Sequence, residues 1–217
     1  MTTRQNIRAI FSVFKSTFTH PKPAGTPTWF DLATSDPAAA RDFCTKPFGW
    51  TYQIGDPEFG FYTTAKLGEH TVAGIGQISE GSPMPSAWTS YLATDNVTAD
   101  ATKIKALGGQ SMFDSMQVGE QGTLGMFIDP TGAVFGLWES GKPIGATLTD
   151  TPGAMAWTEV YSRNGAADVD LYTKFCGLTS TRIEGSIEYY TLQRGSAPII
   201  GVMQLDGNWD AAIPSHW

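Results

Sequence analysis

Two carboxylates stand beside tryptophans in this chain, and at the same spacing. Asp31 follows Trp29 by two residues, and Glu159 follows Trp157 by two. Side chains alternate along a strand, so Trp29, Asp31 and Ala33 share a face, as do Trp157, Glu159 and Tyr161. Trp88, Ser90 and Leu92 form a third set, and Trp138 shares its face with Gly136. A carboxyl buried among indoles loses water and keeps its proton to higher pH. Asp31 is therefore the candidate general acid or base. The alternative is a carboxylate that hydrogen-bonds backbone amides or a neighbouring strand and takes no part in chemistry. Flat indole walls with a few polar groups suit an aromatic or cationic organic ligand. Equally, the tryptophans could only fill space. Other catalytic patterns are absent: no GxSxG elbow, no GKS/T phosphate loop and no GxGxxG. Gly74-Ile75-Gly76 is followed by no helix start and reads as a close approach of strands.

Composition narrows the function classes. A net charge of −7 over 217 residues argues against a nucleic-acid surface, which needs clustered Lys and Arg. No apolar run approaches the ~20 residues of a membrane span. Cys44 and Cys176 show no CxxC spacing and read as buried free thiols in a reducing, cytoplasmic setting. Residues 1–26 stand apart. Ile7, Ile10, Phe11, Phe14 and Phe18 recur at helical spacing among Arg4, Arg8 and Lys15, without an acidic residue before Asp31. That segment is either a helix packed on the body or, over residues 1–20, a mitochondrial presequence. The proline-rich stretch 20–27 reads as a linker.

The elements that hold these side chains come from a repeat. Trp88 and Asp95 lie 59 residues after Trp29 and Asp36, and Trp157 and Asn164 lie 128 after them. Each copy opens with a strand. In the first, Ser35-Asp36-Pro37 caps a helix near 38–46 whose Ala39, Phe43 and Phe48 face the sheet. Strands at 50–54, 59–67 and 71–78 complete a βαβββ unit. The second unit runs from 88 to 142, with a helix at 98–107 and a hairpin turn at Asp129-Pro130-Thr131-Gly132. The third aligns Phe61-Tyr62-Thr63 with Tyr189-Tyr190-Thr191 and, after a one-residue gap, Gln77 with Gln204. Pro214-Ser215-His216-Trp217 matches Pro85-Ser86-Ala87-Trp88, the opening of a fourth.

Paired βαβββ units, Asp-Pro helix openings, Phe48-Gly49-Trp50 and the Asp129-Pro130-Thr131-Gly132 hairpin resemble the vicinal oxygen chelate superfamily. That group contains glyoxalases, bleomycin-resistance proteins and extradiol dioxygenases. The chain is most similar to the two-domain glyoxalase-like "hydroxylase" branch. The resemblance implies an α+β fold in which tandem βαβββ units make a curved eight-stranded half-barrel with its site on the concave side. It divides the chain into an N-terminal segment (1–26), a complete domain (27–142), a linker (143–152) and a partial second domain (153–217). A second half with one full unit exposes an edge and an apolar face, which implies a homodimer through residues 157–205.

The resemblance also locates metal ligands: seven residues before each helix-opening Asp, and seven after the hairpin Asp. Trp29, Trp88, Gly136 and the third-unit Trp157 occupy those positions, and none offers a lone pair to a divalent cation. His20, His70 and His216 form no HxH or HxxxH pair. The expectation is a metal-free protein without a cofactor. It would bind a small aromatic or hydrophobic molecule through Trp29, Asp31, Gln77, Trp88, Ser90 and Trp138, with Trp157, Glu159 and Gln204 in the second half. The alternative is a glyoxalase-type lyase or a hydroxylase or dioxygenase with an atypical divalent-metal site.

Overall fold

The computed structural model describes residues 15–217. Strand β1 (Ser16–Thr17) precedes the first module, which runs β2 (Pro27–Thr34), α1 (Pro37–Phe48), β3 (Thr51–Ile54), β4 (Thr63–Leu67) and β5 (His70–Gln77). The second module runs β6 (Ala87–Ala93), α2 (Val97–Ala106), β7 (Gln110–Val118), β8 (Gly122–Ile128) and β9 (Val134–Ser140). After β10 (Leu148–Thr149), the third runs β11 (Glu159–Ser162), α3 (Gly165–Cys176), β12 (Thr179–Ile183), β13 (Tyr189–Arg194) and β14 (Ala197–Gln204). The fold is mixed α+β, as expected. Its large sheet has eight strands in the order β3-β4-β5-β2-β6-β9-β8-β7, and the third module forms a four-stranded sheet, β11-β14-β13-β12.

Each strand-to-helix corner is built alike. A hydroxyl at the end of the first strand (Thr34, Thr94 or Ser162) accepts the N–H of the residue two further on. That residue (Asp36, Asn96 or Asn164) is the helix N-cap, accepting from Ala39, Ala99 and Ala167 respectively. Pro37 then opens α1, where its missing N–H costs nothing. Gly49 and Gly177 close α1 and α3 in the left-handed region, at φ 69° and 63°. The caps set the true repeat. Asn96, not Asp95, is the counterpart of Asp36, so the second module sits 60 residues after the first, one more than the Trp spacing.

Several local expectations change. In α1 the buried residue is Cys44, whereas Phe43 is 69% and Phe48 39% exposed, so the phenylalanines do not form the sheet-facing stripe. Residues 57–59 form a turn of 3₁₀-helix rather than the start of a strand. The amphipathic N-terminal segment falls almost wholly outside the described residues; where the structure begins, Ser16 and Thr17 are paired in a strand with Thr149 and Leu148.

The chain divides into two compact units that do not follow module order. One takes the residues up to His20, Trp29–Thr89 and Gly145–Ala156; the other takes Pro21–Thr28, Ser90–Ile144 and Trp157–Trp217. In the first unit, Cys44, Trp50, Ala65, Val72, Ala73 and Leu148 form the core. The stretch expected to be a linker packs here: the Thr147 N–H donates to Thr71 O, and Gly153 O accepts the Trp50 indole N–H. In the second unit one core joins Leu92, Ile104, Phe127 and Phe135 to Leu171, Tyr172, Leu192 and Ile200. The third module's apolar helix side is therefore buried against the second module, not left bare. The edge of β11 is partly covered, because Tyr161 and His216 exchange backbone hydrogen bonds. The 20–27 stretch is also fastened: Gly25 N–H donates to Ala93 O, and Ala93 N–H to Thr26 O. Among the described residues no helix is long and apolar enough to cross a membrane. Cys44 and Cys176 are buried free thiols.

Candidate functional site

Each module presents one sheet face to its helix, and among the described residues the opposite face carries no helix. Strand register decides which side chains reach that opposite face. In the first module Gln53, Thr64, Gly74 and Asp31 lie in one cross-strand row. In the third, Thr181, Thr191, Gly201 and Glu159 form the matching row. A tyrosine two residues before each of those threonines completes the arrangement. The Trp29 indole donates to the Tyr62 hydroxyl at 2.8 Å, and Tyr62 donates to Asp31 Oδ2 at 2.9 Å. Trp157 likewise donates to the Tyr189 hydroxyl at 2.9 Å, and Tyr189 to Glu159 Oε2 at 2.7 Å. Burial pushes the Tyr189 phenol well above its ordinary pKa, and its bond to Glu159 adds to the rise. The Tyr189 phenol therefore keeps its proton and serves as a donor to Glu159, and Tyr62 donates to Asp31 in the matching place.

Glycine makes this possible. A Cβ on Gly74 would come 1.8 Å from the Tyr62 hydroxyl, and one on Gly201 would come 2.2 Å from that of Tyr189. The second module uses the same device differently. Tyr91 takes the Asp31 position, directly opposite Gly136, where a Cβ would meet its ring at 2.1 Å. Around it the face is apolar in two rows: Phe113, Met126, Gly136 and Tyr91, then Met116, Leu124, Trp138 and Ala93. No charged side chain interrupts them. The Trp138 indole N–H is buried there without an acceptor among the described residues.

The structure redistributes the residues singled out from sequence. Trp29 and Asp31 share a face with each other, as do Trp157 and Glu159, and each pair is joined through a tyrosine. Trp138 lies on the second module's helix-free face. Trp88 and Ser90 do not reach that face. They share a strand face with Leu92, a core residue under α2, and so point to the helix side. Trp88 packs edge-on against the buried Trp50, with centroids 6.4 Å apart. Ser90 Oγ lies 3.0 Å from Thr158 Oγ1. Gln77 and Gln204 are also turned to the helix side, being paired with Thr34 and Ser162. They clasp the strand-to-helix corners: Gln77 donates to Ser35 O, while Gln204 accepts from Gly165 N–H and donates to Arg163 O. Glu139 holds Val97 N–H in the same manner. Tyr62, Tyr189 and Tyr91 are the site residues that sequence reasoning missed. The Tyr-x-Thr spacing before a strand glycine was the available signal, obscured because Tyr62 corresponds to Tyr189 and not to Tyr190.

The register bears on a metal as well. Counting seven residues back from the true caps gives Trp29, Thr89 and Trp157, with Gly136 covered by the ring of Tyr91. Among the described residues, no three His, Cys, Asp or Glu side chains come together around a common point. Two indoles, a glycine and a single threonine hydroxyl do not make up the donor set that holds a divalent cation.

No family model matches the chain. It is 36% identical over 201 residues to a protein of Mycobacterium tuberculosis named putative glyoxylase CFP32, with 89% of this chain covering 75% of that one. It is 32% identical over 209 residues to the anthracycline biosynthesis protein DnrV of Streptomyces peucetius, with the same coverage. Among solved structures, the Mn(II)-bound glyoxalase of Novosphingobium aromaticivorans shares the fold at a TM-score of 0.63 and 16% identity. The match covers 84% of this chain and 62% of that one, so this chain spans less than two thirds of its length. The 2,3-dioxygenase LapB of Pseudomonas sp. KL28 superposes at a TM-score of 0.61 with 12% identity, over 85% of this chain and 72% of its own. By two relatives above 30% identity, each matched over three quarters of its length, and by a shared fold, this chain belongs to the glyoxalase-like proteins of the vicinal oxygen chelate superfamily.

Proposed function

We propose that this chain binds a small aromatic or hydrophobic molecule without using a metal. The observation that carries the reading is the second module's helix-free face, where Tyr91, Phe113, Met116, Leu124, Met126 and Trp138 line two uncharged rows. The exposed part of that lining, chiefly Phe113 at 38% and Met116 at 49%, gains free energy when a flat apolar ligand removes it from water, at about 25 cal/mol per Å². Relatives named for anthracycline biosynthesis support an aromatic ligand.

Titration of the protein with a panel of aromatic ketones and phenols, followed by tryptophan fluorescence, tests the reading. Binding is expected to weaken at least about tenfold in Trp138→Ala and to be unchanged in Trp88→Phe, whose ring lies on the helix side. Equal loss in both variants, or no binding by any member of the panel, overturns it. A glyoxalase-type lyase, or a hydroxylase or dioxygenase with an atypical metal site, is the second reading, supported by a relative named putative glyoxylase and by structural neighbours named glyoxalase and 2,3-dioxygenase. Elemental analysis separates the two: a divalent metal at one equivalent after purification would sink the metal-free reading.

A further inference from the structure

Helices α2 and α3 each carry a buried aspartate at the same position, four residues after the N-cap: Asp100 and Asp168. Their surroundings differ. Asp100 accepts from the Thr94 hydroxyl and is paired with Lys103 at 2.7 Å. Three residues after Asp168 the chain has Leu171, 1% exposed, so the matching cation is missing. Asp168 is itself 0% exposed, and its Oδ1 has no well-formed hydrogen bond among the described residues, although the Ser162 hydroxyl is near.

What faces Asp168 is a second acid. Thr131, in the hairpin between β8 and β9, places its hydroxyl 2.8 Å from Asp168 Oδ2 and 3.0 Å from Asp129 Oδ1. That hydroxyl has one hydrogen. With both carboxyls ionised, one of the two contacts would bring acceptor against acceptor. A proton on Asp168 removes the conflict: Asp168 donates to the Thr131 oxygen, and Thr131 donates to Asp129. Asp129 is the better site for the charge, because it also accepts N–H groups from Thr131 and Ala133 and the Tyr172 hydroxyl. Tyr172 in turn accepts the Trp217 indole N–H at 3.0 Å.

We propose that Asp129 and Asp168 share one proton through the Thr131 hydroxyl, and that this proton forms a pH-sensitive joint fastening the hairpin to α3 and, through Tyr172, to Trp217. Among the described residues, the titratable groups facing Asp168 are Asp129 from the hairpin and Tyr172 from its own helix; β11 contributes the Ser162 hydroxyl, and no cation acts on it. Burial, with the Asp129 charge behind it, pushes the Asp168 carboxyl up to about 7, and burial holds the Tyr172 phenol well above its usual range. The sign follows. The unfolded chain releases this proton near 3.8, whereas the folded unit holds it to about 7. The stabilisation is complete below the first value and is lost as pH rises through the second.

Urea unfolding of the full chain and of Asp168→Asn, from about pH 4 to about pH 9, tests the joint. The Asn amide keeps a donor toward Thr131 and cannot ionise. The unfolding constant of the parent, divided by that of the variant, is expected to rise about tenfold per pH unit up to about pH 7 and then level off. A ratio that stays flat across the range overturns the proposal. Should Asp168→Asn fail to fold, carboxyl NMR of the parent labelled at aspartate carbon decides instead. One aspartate titrating near neutrality, with a midpoint displaced in Thr131→Val, supports the shared proton; no aspartate titrating there rejects it.

Discussion

The helix-free faces of the first and second modules share a scaffold and differ in chemistry. Both grow from a capped corner, Thr34 with Asp36 and Thr94 with Asn96, and both lay a tyrosine ring on a glycine. In the first module that ring is Tyr62, which reaches in from the start of β4 and links an indole to a carboxylate. In the second it is Tyr91, which stands where the carboxylate would be and heads two apolar rows. The third module returns to the first pattern, with Trp157, Tyr189 and Glu159. The caps are common to all three because every strand-to-helix corner has the same orphan N–H groups to satisfy. The faces are free to diverge because no such orphan groups constrain their side chains. An acid already held by a phenol is a fixed structural acceptor; the rows of Met, Leu and aromatic side chains carry no charge to be held.

The sharpest way to break the comparison is through the glycines. Gly136→Ala should cost about 3 kcal/mol in urea unfolding, since the obstructing Tyr91 ring is 7% exposed and has nowhere to swing. The matched Gly74→Ala meets the far end of a half-buried phenol and should cost less, about 1–2 kcal/mol. Equal costs would mean that the two rings are equally fixed. Tyr62→Phe removes Trp29's acceptor and a donor to Asp31, and should lose about 1–2 kcal/mol, with a similar loss for Tyr189→Phe. If Tyr62→Phe proves neutral while Tyr189→Phe does not, the two networks are not equivalent. The smallest effects belong to what the modules share: Asp36→Ala, Asn96→Ala and Asn164→Ala should each lose about 1 kcal/mol. A spread much wider than that would show that the corners are less alike than their hydrogen bonds.

Much of the fold was legible in the residues. The repeat, the Asp-Pro helix opening, the Asp129-Pro130-Thr131-Gly132 turn and the glycines after α1 and α3 all mark real boundaries. The site was less legible, and one error explains most of it. Aligning Trp88 with Trp29 places the second module one residue out of step, because identical Trp and Asp residues outweighed the cap at Asn96. A slip of one residue in a strand exchanges its two faces. Trp88 and Ser90 were thereby placed with Asp31, when their true neighbours are Leu92 and Trp50. The same slip in the third module hid Tyr189 behind Tyr190, which instead packs toward the core. Gln77 and Gln204 failed for a related reason: they match each other well because both clasp a corner, and shared structure produces repeats as readily as shared function.

The sequence alone determined what depends on local spacing and residue type: three βαβββ modules, the Asp-Pro opening of α1 and the glycines that close α1 and α3. The tertiary structure decided what depends on register and on meetings between distant segments. It put Tyr62 between Trp29 and Asp31, set the third module's apolar side into one core with the second, and brought Asp168 against Asp129 through Thr131. The physical reason is the pleat. A strand's sequence says that its faces alternate, and only its hydrogen-bonded neighbours say which face a given residue takes.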